Sequence, residues 1–70
     1  MNKLELNTEV YSIMNIKNVI EIYKNYADIC IKDNSQYVIV CFDDCKYDCK
    51  TTMKEFENYL IGLENVYENS

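Results

Sequence analysis

The sequence predicts an α+β fold in two layers, with the element order β-α-β-β-α, a three-stranded sheet and two helices on one face. Three patterns predict it: alternating leucines near the N-terminus, two segments with apolar residues at helical spacing, and two β-rich runs around turn-forming residues. The 70-residue chain has no proline and one glycine, so residues 1 to 70 are expected to form a single domain. Its core should span about residues 3 to 67, with frayed termini.

The first element is predicted to be a half-buried strand over residues 3 to 11. Apolar and polar side chains alternate along it, as they do in a strand with one face on the core. One face would carry Leu4, Leu6, Thr8 and Val10, and the other Glu5, Asn7 and Glu9.

The second element is predicted to be an amphipathic helix over residues 13 to 26, with Ser12 as its N-cap. Because isoleucine has a modest helix propensity, this helix is expected to depend on packing against the sheet. Its apolar face would comprise Ile13, Ile16, Val19, Ile20, Tyr23 and Tyr26.

The next segment, ADICIKDNSQYVIVCF, is predicted to be a β-hairpin with Asn34 and Ser35 at the centre of a tight turn. On the face toward the helices, this register pairs Ile31 with Val38, Ile29 with Val40 and Ala27 with Phe42. On the other face it pairs Lys32 with Tyr37, Cys30 with Ile39 and Asp28 with Cys41. That second face is more apolar than an open surface usually is, which makes it the first candidate for a binding surface.

The last element is predicted to be a helix that begins at Thr51 or Thr52 and ends near residue 66. Thr52 and Glu55 have the spacing of a capping box. Its buried stripe would comprise Met53, Phe56, Leu60, Leu63 and Tyr67.

The charge and composition argue against several classes of function. Seven lysines against twelve acidic residues give a net charge of −5, which disfavours binding to nucleic acid or to anionic lipid. There is no arginine and no histidine, so the chain lacks imidazole for a catalytic base, a metal ligand or a pH switch. We therefore expect a protein that is not an enzyme and that has no cofactor.

The N-terminal segment points to a cytoplasmic protein. Glu5, Asn7 and Glu9 interrupt the leucines, so there is no apolar core of a secretory signal. No stretch reaches the roughly 18 apolar residues that a membrane span needs. In the cytoplasm thiols are kept reduced, so the four cysteines are not by default two disulfides.

The segment CFDDCKYDCK contains three of the four cysteines at a spacing of four residues. With Cys30, they would make a zinc site of Cys30, Cys41, Cys45 and Cys49 imaginable. Structural zinc sites, however, usually pair cysteines that are separated by two residues. In the alternative interpretation, Cys30 and Cys41 are small apolar sheet residues, and Cys45 and Cys49 fill a loop.

The last helix, EFENYLIGLE, together with the preceding VYSIMNIKNVIEIYKNYADICI and hairpin, resembles the HxsD family of His-Xaa-Ser peptide-maturation systems. Members of that family have the same layout and a final motif written approximately Leu-Leu-Asn-Asp-Tyr-x-Leu-Arg-Glu. Asn58 and Glu64 match the motif. The chain departs from the motif at the other positions. Its two leucines are replaced by Phe56 and Glu57, its Asp by Tyr59 and its Tyr by Leu60. Its later Leu and Arg are replaced by Gly62 and Leu63.

The resemblance implies an accessory role beside a radical S-adenosylmethionine enzyme that modifies a ribosomally made peptide. The function expected is a non-catalytic adaptor that binds the precursor peptide or its modifying enzyme and forms a homodimer or hetero-oligomer. The alternatives are a small zinc-binding module and an acidic inhibitor or immunity-type protein. The candidate partner-binding residues are Cys30, Lys32, Tyr37, Ile39, Cys41, Asn58, Tyr59 and Glu64.

Overall fold

The computed structural model describes residues 2–34 and 36–68, with side chains described as far as residue 65. Its elements are β1 (Asn2–Asn7), α1 (Ile13–Tyr23), β2 (Asp28–Asp33), β3 (Tyr37–Asp43) and α2 (Cys49–Glu68). The predicted α+β class and element order are confirmed. None of the helices described is both long and apolar enough to cross a membrane.

The sheet has the strand order β1-β3-β2, and β3 is antiparallel to both neighbours. β1 and β2 therefore run parallel to each other with β3 inserted between them. α1 makes the connection between these two parallel strands, so the first four elements form a split βαβ unit.

One hydrophobic core lies between the sheet and the two helices. Phe42 on β3 meets Phe56 on α2 edge to face, with ring centroids 5.2 Å apart, a geometry favoured by aromatic pairs. The side chains of the core come from strands, from both helices and from the residue just before β2. They are Leu6, Ile16, Val19, Ala27, Val38, Val40, Phe42, Phe56 and Leu60.

β1 is shorter than predicted because the side chain of its last residue stops it. The Asn7 side-chain oxygen accepts a hydrogen bond from the Glu9 N–H at 2.8 Å, and the Asn7 carbonyl accepts from Val10 and Tyr11 at 3.0 Å. Asparagine commonly forms such local turns in place of strand pairing. Val10, predicted to lie on the core face, is instead 60% exposed.

α1 begins as predicted and ends earlier. The Ser12 side chain accepts a hydrogen bond from the Asn15 N–H at 3.1 Å, which confirms Ser12 as the N-cap. The helix stops at Tyr23, and residues 24–26 form a turn that the Tyr26 N–H closes on the Tyr23 carbonyl at 2.9 Å. The turn redirects the chain so that Ala27 enters the core.

The predicted hairpin is present, but its register is wrong by two residues. Ile31 pairs with Val40 rather than Val38, and Cys30 pairs with Cys41 rather than Ile39. The Asn34 N–H donates to the Tyr37 carbonyl at 2.9 Å, so Asn34 faces Tyr37. The predicted position of Ser35 at the centre of the turn lies outside the described residues. A shift of two residues leaves every side chain on its predicted face, because strand side chains alternate with a period of two.

α2 begins at Cys49, earlier than predicted, because Asp48 caps it. The Asp48 carboxylate accepts hydrogen bonds from the Thr51 N–H at 3.1 Å and from the Thr51 hydroxyl at 2.9 Å. The predicted capping box of Thr52 and Glu55 is therefore wrong: Thr52 lies inside the helix, and its hydroxyl donates to the Asp48 carbonyl at 3.0 Å. The predicted buried position of Tyr67 lies outside the residues whose side chains are described.

Candidate partner-binding surface

Five of the eight predicted binding residues lie together on the sheet face that points away from the helices, here called the outer face. Side chains alternate along β3, so Val38, Val40 and Phe42 enter the core while Tyr37, Ile39 and Cys41 point outward. The register then brings the β2 residues Cys30 and Lys32 beside them.

The centre of the outer face is a pair of cysteines. Cys30 and Cys41 are directly opposite each other on β2 and β3, and both are free thiols. Cys41 is only 1% exposed although no helix covers this face. Loss of hydration and a hydrogen bond with Cys41 raise the pKa of the Cys30 thiol, although the residue as a whole is exposed. Such a thiol is mostly protonated at neutral pH, which makes it a weak nucleophile.

Charged side chains flank this centre. On β1, Lys3 lies opposite Cys41 and Glu5 lies opposite Ile39. On β2, Lys32 lies opposite Ile39 on its other side. The outer face is therefore a small apolar centre bordered by charged side chains of β1 and by Lys32, rather than a broad apolar surface.

The edge of β2 carries backbone groups that the sheet does not use. Because Asn34 and Tyr37 are hydrogen-bonded partners, the antiparallel alternation directs the N–H and C=O groups of Asp28, Cys30 and Lys32 toward β3. The groups of Ile29, Ile31 and Asp33 then point out of the sheet. No backbone hydrogen bond to these groups is found from any residue within 2–34 and 36–68.

The side chain of Ile31 offers an exposed apolar contact beside this edge. It points to the helix side of the sheet, yet it is 37% exposed, and α2 packs against β1 and β3 rather than against β2. An extended chain that paired with β2 would find an apolar contact there as well as hydrogen-bonding groups. The alternation in the sequence predicted which face Ile31 lies on. It could not show that β2 is an edge strand, because that depends on the order of the strands in the sheet.

The other predicted binding residues, Asn58, Tyr59 and Glu64, are on α2, which packs on the opposite face of the sheet. Asn58 is exposed, and Tyr59 is 44% exposed with its ring edge against Tyr23, at a centroid distance of 6.3 Å. The eight predicted residues therefore do not form one continuous surface.

Glu64 has a contact within the fold that the sequence did not suggest. Its Oε1 atom accepts hydrogen bonds from the Ser12 N–H at 2.8 Å and from the Asn15 side-chain amide at 3.0 Å. The bonds from Ser12 and then Asn15 lower the pKa of the Glu64 carboxyl, while partial burial opposes them. Glu64 thus joins the last turns of α2 to the start of α1, and a contact with a partner stays a prediction.

The four cysteines do not converge on a metal site. Cys45 and Cys49 form a disulfide, with Cα atoms 5.4 Å apart, a separation typical of such bonds. Cys30 and Cys41 are on the outer face. Within the part of the chain that is described, no three Cys, Asp or Glu side chains are placed to hold a metal ion. The prediction from compartment against disulfides is therefore wrong for Cys45 and Cys49, because the loop before α2 brings Cys45 next to the first residue of that helix.

A row of tyrosines between the helices was not predicted as a site. Tyr23 contacts Tyr26 with ring centroids 5.9 Å apart, and Tyr26 contacts Tyr47 at 6.2 Å. The sequence assigns Tyr23 and Tyr26 to the core, but Tyr26 is 42% exposed and Tyr47 is 65% exposed. Tyr26 lies outside α1 because the helix ends at Tyr23. The helical periodicity of the sequence did not show this early end.

The chain matches no protein-family model, no curated protein and no solved structure. The resemblance to the HxsD family therefore depends on the residues of α2 and on the order of elements.

Proposed function

We propose that this protein is a non-catalytic adaptor that binds an extended peptide or a protein partner along the edge of β2. The observation that carries the proposal is the open edge formed by Ile29, Ile31 and Asp33, whose backbone groups point away from β3. Addition of a strand to such an edge gives affinity through main-chain hydrogen bonds and specificity through side-chain contacts. The outer face and the exposed side chain of Ile31 supply those contacts.

The resemblance to the HxsD family supports a more specific form of this proposal. The partner is then the precursor peptide, or the radical S-adenosylmethionine enzyme, of a peptide-maturation system in the cytoplasm. The net charge of −5 suits a basic peptide or a basic enzyme surface. When no partner is present, the same edge would pair with a second copy of the chain and give a homodimer.

Titration with a precursor peptide and a radical S-adenosylmethionine enzyme of such a peptide-maturation system tests the proposal. Isothermal calorimetry is expected to show binding to one of them with a dissociation constant of about tens of micromolar or tighter. Ile31→Pro removes an outward N–H without removing a bond to β3, so it is expected to weaken binding at least about tenfold. Folding of the variant is checked by circular dichroism.

Glu5→Pro is the matched control on the other edge strand. By the same alternation, the N–H of Glu5 also points out of the sheet, on the β1 side. This variant should bind as the wild type does. Absence of binding to both partners contradicts the adaptor proposal, and equal weakening by the two proline variants contradicts the assignment to the β2 edge.

A further inference from the structure

A groove separate from the outer face lies between the end of α1 and the beginning of α2. Its volume is about 430 Å³, within the usual range of ligand sites. It is bounded on one side by residues that close α1 and on the other by the loop before α2 and the first turns of that helix. The lining residues are Ile22, Tyr23, Tyr26, Tyr47, Thr51, Thr52 and Glu55.

The tyrosine row gives this groove aromatic faces. Tyr23 is anchored in the core by its contact with Phe56, at a centroid distance of 5.8 Å. Tyr26 and Tyr47 continue the row outward and are 42% and 65% exposed. Part of the row is therefore available to a partner rather than buried as packing.

The groove also carries one carboxylate that has no cation beside it. Glu55 lies close enough to Tyr23 that, after burial, its negative charge is the largest cause that raises the pKa of the Tyr23 hydroxyl. In the described part of the chain, the only salt bridge joins Lys24 to Glu21, so Glu55 has no lysine partner. The hydroxyls of Thr51 and Thr52 are already bonded to Asp48.

One disulfide and one backbone hydrogen bond hold the groove in shape. Tyr47 is inside the short loop closed by the Cys45–Cys49 disulfide. The Lys46 N–H donates a hydrogen bond to the Tyr26 carbonyl at 2.6 Å. The segments that carry Tyr26 and Tyr47 are thus fastened together before any ligand arrives, which reduces the entropy cost of binding.

We propose that this groove binds the guanidinium group of an arginine side chain on a partner protein, stacked on the tyrosine faces and hydrogen-bonded to the Glu55 carboxylate. A cation is attracted to the face of an aromatic ring, and the planar guanidinium combines stacking with a two-pronged bond to a carboxylate better than an ammonium does. These 70 residues contain no arginine that could fill the groove from within the fold. This inference does not depend on strand addition at β2.

An NMR titration of the full chain with an acetylated, amidated glycine-arginine-glycine peptide tests the proposal. Shifts are expected at Tyr26, Tyr47 and Glu55, with a dissociation constant on the order of 1 mM for so small a probe. The same peptide with citrulline, which has nearly the same shape and no charge, should bind about five times more weakly, and a lysine peptide should also bind more weakly.

Variants locate the site. Glu55→Gln and Tyr47→Leu are each expected to weaken binding of the arginine peptide about three- to fivefold. Glu57→Gln is the matched control, because it removes the same charge from the same helix at a residue that does not line the groove. Equal binding of the citrulline or lysine peptide overturns the proposal. So does weakening by Glu57→Gln as large as that by Glu55→Gln, or a set of shifts outside the groove.

Discussion

Replacing Glu64 by alanine is expected to destabilise the fold strongly, although Glu64 lies near the end of the last helix. Its Oε1 atom accepts two hydrogen bonds, from the backbone of Ser12 and from the side chain of Asn15. Both donors belong to the start of α1, so one carboxylate connects the two helices at the end away from Cys49.

The size of the effect follows from the surroundings of the two donors. Ser12 is exposed, so its bond should contribute about 1 kcal/mol, as capping interactions do. Asn15 is 5% exposed, and a buried amide left without its partner costs about 1–3 kcal/mol. The sum is about 2–4 kcal/mol, against a total of about 3–5 kcal/mol for a domain of this size. The melting temperature should fall by about 10–30 °C.

Urea unfolding followed by circular dichroism at 222 nm measures this change. Glu57→Ala is the control, because it removes the same side chain from α2 at a position with no hydrogen bond or ion pair to any described residue. The control should change the free energy of unfolding by less than about 0.5 kcal/mol. If Glu64→Ala is as stable as Glu57→Ala, the hydrogen bonds of Glu64 to Ser12 and Asn15 do not stabilise the fold.

The same contact predicts a dependence on pH. The pKa of Glu64 is lowered in the folded state by the bonds from Ser12 and Asn15, so the folded state favours the charged carboxylate. Its stabilising contribution is complete above the unfolded-state pKa and is lost as the pH falls through the lower, folded-state pKa. The difference in unfolding free energy between the wild type and Glu64→Gln should therefore be largest near neutral pH, begin to shrink as the pH falls below about 4.3, and disappear only below the lowered folded-state pKa. A difference that is the same at pH 7 and pH 3 contradicts this.

Three further outcomes are expected from the core and the cysteines. Replacing Cys45 and Cys49 by serine should lower the unfolding free energy by about 2 kcal/mol, because the cross-link no longer restricts the unfolded chain; a melting temperature unchanged by this or by dithiothreitol would contradict it. Phe56→Ala should remove cooperative unfolding, since Phe56 is fully buried and the loss of about 3–5 kcal/mol equals the whole stability; Phe56→Leu should still unfold cooperatively. With the disulfide intact, a maleimide should modify exposed Cys30 well before buried Cys41. Equal rates in mass spectrometry would show that the sheet opens faster than the reagent reacts.

The alternation and helical spacing in the sequence predicted the elements and their faces, because those patterns reflect burial directly. The ends of the elements depend on local bonds that compete with the pattern. The side chain of Asn7 stops β1, and Asp48, rather than Thr52, caps α2. Several polar residues near each end could form such a bond with similar strength, and their spacing alone does not show which of them does.

The candidate surfaces were less predictable than the fold. Cys30 and Ile39 were correctly placed on one face, but the pairing of Cys30 with Cys41 required the position of the turn. The groove required more, since Tyr26 and Tyr47 are far apart in sequence and meet only because α1 ends early and the Cys45–Cys49 loop folds back. Contacts of this kind are set by tertiary structure, and composition or periodicity cannot show them.

The position of β3 between its two neighbours also sets the order in which the domain can assemble. Asp33 pairs with Val38 close along the chain, whereas Asn2 must find Phe42 across a much longer stretch. Closing the longer loop costs more entropy, so the hairpin should form first and the N-terminal strand should dock onto it afterwards. During synthesis, β1 therefore waits, unpaired, until β3 has left the ribosome.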